Sequence, residues 1–101
     1  MLSHMVYFTL NDPSADAAVK LVESCHKYLK NHPGVVFFAA GTLTPDLVRP
    51  VNDREFHVAL NVVFDTRANH DAYQVAEDHL KFIEENKPGW AKVRVFDADV
   101  T

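Results

Sequence analysis

Six segments of this 101-residue chain carry hydrophobic periodicity, and their order constrains the fold more than any other feature. Leu2–Leu10 alternates as a strand does, with Leu2, His4, Val6, Phe8 and Leu10 on one face and Met5, Tyr7 and Thr9 on the other. Asp12 and Pro13 read as the N-cap and first residue of a helix. Its apolar stripe is Ala15, Ala18, Val19, Val22, Cys25, His26 and Leu29, and Asn31-His32-Pro33-Gly34 ends it. Val35–Leu43 predicts a second strand and Phe56–Phe64 a third. The third places Phe56, Val58, Leu60, Val62 and Phe64 opposite His57, Ala59, Asn61 and Val63. Asp65 or Thr66 caps a second helix over about Arg67–Glu85, with Ala72, Val75, Ala76, His79, Phe82 and Ile83 as its stripe. Lys87-Pro88-Gly89 breaks that helix, and Trp90–Asp97 predicts a fourth strand.

The order β-α-β-β-α-β is the split βαβ pattern, an α+β arrangement with a four-stranded antiparallel sheet and two helices on one face. Strands two and three are apolar on both faces, yet the helices cover only one. A wet second face would leave an apolar patch larger than monomers usually show, so a homodimer packed sheet against sheet is expected. The irregular stretch Thr44–Glu55 exceeds an ordinary hairpin loop and is expected over the rim of a site.

Composition narrows the function classes. Apolar residues make up 48% and charged residues 24%, as in ordinary soluble domains, and a length of 101 residues gives a single domain over residues 1–101. The net charge of -4 and the scattered Lys and Arg argue against a nucleic-acid partner. The longest apolar run, Val35–Ala40, is far short of the ~18 residues that would suggest a membrane span. No basic region precedes the first apolar stretch, so no secretory signal is expected, and a cytoplasmic location is the default. The single cysteine, Cys25, lies in an apolar stripe and reads as inert packing.

The chain resembles the stress-responsive A/B barrel (Dabb) family of dimeric α+β barrels built from ferredoxin-like subunits. The residues that carry the resemblance are His-Met-Val-Tyr-Phe (4–8), ALNVVFDTRANHDAYQ (59–74), His79-Leu80-Lys81-Phe82 and VRVFD (93–97). Plant polyketide cyclases of that family use a Tyr and a His in the second-helix region, with two more histidines lining the pocket. The resemblance therefore implies Tyr73 and His79 as the catalytic pair and His4 and His57 as lining residues. Where the family usually has a helix-breaking His-Pro, this chain has Ala76-Glu77. In an unbroken helix six residues turn through about 600°, which would leave Tyr73 and His79 roughly 120° apart.

Six histidines are many for this length. His79 lies in an apolar stripe, where a ring is either bonded to a backbone carbonyl or used as a general base or acid near neutrality. Tyr73 could donate to a developing oxyanion, and His4 and His57 would share a pocket with Val6, Phe8, Ala59 and Asn61. His26, His32 and His70 read as boundary or surface residues. A three-histidine metal set of His4, His57 and His79 has no HExxH or CxxC spacing behind it, so neither metal nor other cofactor is expected. Two functional expectations follow. The favoured one is a small-molecule-binding barrel without catalysis, taking an apolar or carbonyl-containing ligand between sheet and helices. The alternative is a cofactor-independent aldol cyclase or isomerase, with His79 as general base and Tyr73 steadying the enolate oxygen.

Overall fold

The computed structural model describes residues 1–101. Strands β1 (Leu2–Leu10), β2 (Val35–Thr42), β3 (Val58–Phe64) and β4 (Trp90–Asp99) form one antiparallel sheet in the order β2-β3-β1-β4. Helix α1 (Ala15–Leu29) follows β1, and α2 (Arg67–Val75) and α3 (Glu77–Asn86) follow β3. A single 3₁₀ turn over Lys87–Gly89 leads into β4. The element order is the one expected, with an additional helix from division of the second.

Register decides which side chains meet the helices. His4, Val6 and Phe8 of β1 pair with Val62, Leu60 and Val58 of β3, so the even-numbered residues of both central strands share one face. That face is buried against Ala18, Leu21, Cys25 and Leu29 of α1 and against Tyr73 and Phe82. Each large apolar side chain buried this way contributes about 1.5–3 kcal/mol. The α1 stripe is rotated from the sequence expectation: Leu21 is buried, whereas Val19 is 50% exposed. Ser14, not Asp12, caps α1, accepting from the Ala17 N–H at 3.2 Å. Asp12 braces that cap by accepting from the Ser14 N–H at 2.9 Å.

The second helix does not run through. Ala76 has φ -66° and ψ 147°, extended values that separate α2 from α3. Its N–H donates to the Tyr73 carbonyl and its own carbonyl accepts from the Leu80 N–H, so the residue closes one helix and opens the next. The expected single stripe is therefore wrong at its start. Val75 is 73% exposed and Ala72 is exposed, while Tyr73 is buried to 2%. Packing gives the reason: only a break allows Tyr73 on one helix and His79 and Phe82 on the next all to face the sheet.

Gly34, with φ +83°, turns the chain from α1 into β2. A Cβ there would come within 2.5 Å of Asp65 Oδ1 and would also strike the Asn69 side chain. The same turn carbonyl accepts from the Asp65 N–H at 2.8 Å, so Gly34 anchors the start of α2. Thr66 caps α2 by accepting from the Asn69 N–H.

The opposite face of the sheet carries Met5, Tyr7, Phe37, Ala59, Val63 and Phe96, and Phe37 and Phe96 are each 54% exposed. The segment 43–57 folds over part of this face and borders an open cavity of about 490 Å³ between Tyr7, Leu47, Phe56 and Phe96. Arg94 there donates to Asp53 at 2.6 Å, and Thr9 donates to the Glu55 carbonyl. As expected of so long a segment, it lies over the rim of a cavity, here on the sheet face away from the helices. No helix is long and apolar enough to cross a membrane.

Candidate functional site

A second cavity, about 160 Å³, lies between the helix-covered face of the sheet and α2 and α3, reaching the β4 edge. Its floor is Val6, Phe8 and Leu60, its wall is Phe82, Ile83 and Trp90, and Val93 and Val95 line the β4 side. β4 is an edge strand, so the helices leave Val95 49% exposed there. Phe8, Phe82 and Trp90 pack ring to ring at centroid distances of 4.9–6.2 Å and fix the apolar end. His4, Tyr73, Gln74 and His79 bring polar atoms to the other end.

Tyr73 is the hub of that polar end. The His79 ring lies 4.7 Å from it, His32 5.0 Å, Phe64 5.0 Å and His4 6.1 Å, all centroid to centroid. His70, one helical turn before Tyr73, stacks edge-on to His4 at 5.1 Å. The break at Ala76 removes the separation that an unbroken helix would impose on Tyr73 and His79.

Each ring is held differently. His4 Nδ1–H donates to Asp97 Oδ1 at 2.5 Å, the two facing each other in the β1–β4 register. His32 Nε2–H donates to the Tyr28 carbonyl at 2.7 Å. His70 Nδ1–H donates to Asp71 Oδ1 at 2.9 Å. By contrast Tyr73 Oη, His79 Nδ1, His70 Nε2 and Trp90 Nε1 are buried without a protein hydrogen-bond partner. Unpaired buried polar atoms are costly, so Tyr73 Oη, His79 Nδ1 and His70 Nε2 each call for a partner, a bound ligand or an ordered water.

The electrostatics follow from burial. Desolvation pushes the His79 imidazole down to about 4, and positive charge on His4, His32 or His70 would push it the same way. The ring is therefore neutral at neutral pH. Burial also raises the Tyr73 phenol well above its ordinary value, which keeps its proton on. Cys25, fully buried in α1, has its thiol pushed up to about 12 by the same cause and is unreactive packing.

Of the residues expected to share a pocket, His4, Val6, Phe8, Tyr73 and His79 do so. His57, Ala59 and Asn61 do not. Ala59 and Asn61 pair with Tyr7 and Met5 on the face away from the helices, and His57 lies just before β3, outside the paired register. His57 instead accepts from the Leu10 N–H at Nδ1, 2.9 Å away, closing the end of the β1–β3 ladder. His70 and His32, expected at the surface, take its place in the cluster. The three-histidine set His4, His57 and His79 does not assemble. His4, His70 and Asp97 do offer one ligand atom each, all within 4.8 Å of one another.

Sheet order, register and helix placement together define a ferredoxin-like α+β fold with a polar-ended pocket between sheet and helices. The chain belongs to the stress responsive A/B barrel domain family, whose model matches residues 2–100. Solved structures agree with the fold. A Dabb family protein from Mesorhizobium loti is 22% identical with a TM-score of 0.80, covering 99% of this chain and 96% of that one. A dimeric ferredoxin-like protein of unknown function from Thermobifida fusca is 19% identical with a TM-score of 0.80, covering 98% and 90%. A hydroxynitrile lyase from Passiflora edulis is 20% identical with a TM-score of 0.77, covering 99% and 93%. No curated protein matches the sequence.

Proposed function

We propose that the pocket binds a small carbonyl compound and transfers a proton at the carbon beside the carbonyl, without a cofactor. One observation carries the reading. Tyr73 and His79, on either side of the break at Ala76, line one cavity with their rings 4.7 Å apart, and neither Tyr73 Oη nor His79 Nδ1 has a protein partner. His79 Nδ1 takes the proton, the C–H electrons move into the enolate, and the Tyr73 hydroxyl donates to the enolate oxygen. The imidazolium then returns the proton, either to the same carbon or to the product of a carbon–carbon bond step. A neutral imidazole of lowered basicity can take a proton only from an acidified C–H bond, so β-dicarbonyl compounds are the favoured class. The cavity, about 160 Å³, resembles in size one that accepts benzene, about 150 Å³. That a hydroxynitrile lyase shares the fold supports the reading.

Deuterium exchange at the α-carbon of a small β-keto ester, followed by NMR, tests it. The wild-type protein is expected to exceed the buffer rate, and His79→Gln to lose about 100-fold or more of that excess. Tyr73→Phe is expected to lose about 10-fold. A wild-type rate equal to buffer, or an undiminished His79→Gln rate, overturns catalysis by this pair. Binding without turnover is the second reading, favoured by the mostly apolar lining. It is the outcome if the ester raises the melting temperature while exchange stays at the buffer rate.

The assembly in this reading is a homodimer joined through the outer sheet face. Phe37 and Phe96 stand exposed on it, on the same face as Met5, Tyr7 and Val63, apolar surface that pairing would cover. Light scattering at micromolar concentration is expected to give twice the 11.4 kDa chain mass, and Phe96→Lys to shift it toward one chain. A wild-type monomer at that concentration rejects sheet-on-sheet pairing.

A further inference from the structure

We infer that His4, His70 and Asp97 form a binding site for a divalent first-row transition metal at the edge of the pocket. Nothing in the carbonyl reading requires it. Two imidazoles and one carboxylate come from three separate elements, β1, α2 and β4, and offer ligand atoms within 4.8 Å of one another. Around one ion at about 2.1 Å, neighbouring ligand atoms lie about 3.0–3.4 Å apart. Ligand-atom shifts of about an ångström therefore bring the set onto a metal.

The surroundings are those of a ligand set rather than of three neighbours in passing. His70 Nδ1–H donates to Asp71, which directs the lone pair to Nε2, the buried nitrogen without a partner. Asp71 is in turn held by Arg67 Nε at 2.8 Å, so a carboxylate orients the imidazole and a guanidinium orients the carboxylate. Such outer contacts fix the tautomer and raise ligand basicity. His4 Nδ1 already faces Asp97 Oδ1 at 2.5 Å, and an ion takes the place of the proton between them, which moves to Nε2. The His4 side chain is 7% exposed and that of Asp97 47%, so the site is buried on one side and open to an entering ion on the other. Imidazole with carboxylate suits Zn²⁺, Fe²⁺, Co²⁺ and their neighbours rather than Ca²⁺ or Mg²⁺. Three protein ligands leave at least one coordination position open, and the Tyr73 ring lies 6.1 Å from that of His4.

The test uses the full chain after dialysis against a chelator. Titration with Co²⁺, read by its visible absorption, and with Zn²⁺, read by calorimetry, is expected to show one ion per chain with micromolar or tighter affinity. Asp97→Asn and His70→Gln are each expected to weaken binding at least 10-fold, and His26→Gln, on the exposed side of α1, to leave it unchanged. Absence of binding at submillimolar Zn²⁺, or unchanged affinity in both ligand variants, overturns the site. Should either variant fail to fold, histidine ring NMR of the wild-type protein decides. Zn²⁺ is expected to shift His4 Nδ1 and His70 Nε2 first, and initial shifts at His26 or His57 instead overturn the assignment. Neither readout depends on turnover, so the carbonyl reading and the metal site fail separately.

Discussion

Proline introduced by Glu77→Pro is expected to leave stability unchanged or raise it by up to about 1 kcal/mol, whereas Ala72→Pro costs about 3 kcal/mol. The gap comes from where each position stands relative to the break at Ala76. Glu77 is the first residue of α3, where the N–H has no intrahelical partner and a fixed φ is already suitable. The residue before it, Ala76, holds ψ 147°, in the extended region that a following proline prefers. The substitution removes the Lys81–Glu77 ion pair at 3.2 Å, which is exposed and screened by solvent and so adds little to stability. Ala72 sits inside α2 with an exposed side chain, so proline there removes a helical hydrogen bond and strikes the preceding turn without disturbing the core. Thermal unfolding of both variants should separate them by roughly 10–20 °C. Equal losses at the two positions would mean a helix continuous through Ala76, and with it a Tyr73 and His79 pointing apart.

That break is also where the sequence is hardest to read. Neither proline nor glycine marks it, and Ala76 makes no side-chain cap. The available signal is electrostatic: Glu77 and Asp78 stand together where a helix start favours acidic groups, halfway along an apparently single helix. A continuous helix turns the stripe by one residue, which would bury Val75 and leave Tyr73 at an edge. The strands are more legible because a period of two groups residues without ambiguity. Ala59 and Asn61 do share one face, but it is the face away from the helices rather than the pocket side, and His57 falls outside the strand. The signal that separates the two sides is apolar density, since Val58, Leu60, Val62 and Phe64 form the denser set and lie with His4, Val6 and Phe8 under the helices.

The same reasoning recovers the missed members of the cluster. Once Tyr73 faces inward, His70 one turn earlier must lie near it, and Val93, Val95 and Asp97 alternate onto the His4 side of β4. His32 cannot be found this way, because its ring reaches Tyr73 from the turn that follows α1. Periodicity gives the faces of elements. It says nothing of how a loop side chain folds back onto one of them.

Acid should destabilise the protein in a window set by His79. Its ordinary value is 6.5, and burial lowers it to about 4 in the folded chain. Between these two values the unfolded chain binds a proton that the folded chain does not, so stability falls as pH falls. The contribution is fully present above about pH 6.5, declines through the window, and is lost below about 4. Discounted for solvent reaching the open side of the pocket, the shift corresponds to a loss on the order of 2–3 kcal/mol, or roughly 10–20 °C of melting temperature. The carboxylates of Asp65 and Asp71 act below it, because hydrogen bonds from Asn69 and from Arg67 and His70 hold them under the ordinary carboxylate value of 3.8. His79→Gln keeps a polar side chain of similar length and cannot titrate, so the wild-type minus variant difference isolates the imidazole. That difference, measured at one fixed protein concentration so that assembly does not vary, should shrink steadily from pH 6.5 to 4. A difference that stays flat across the window would place His79 in contact with water or with a carboxylate, not in the desolvated setting that makes it a neutral base.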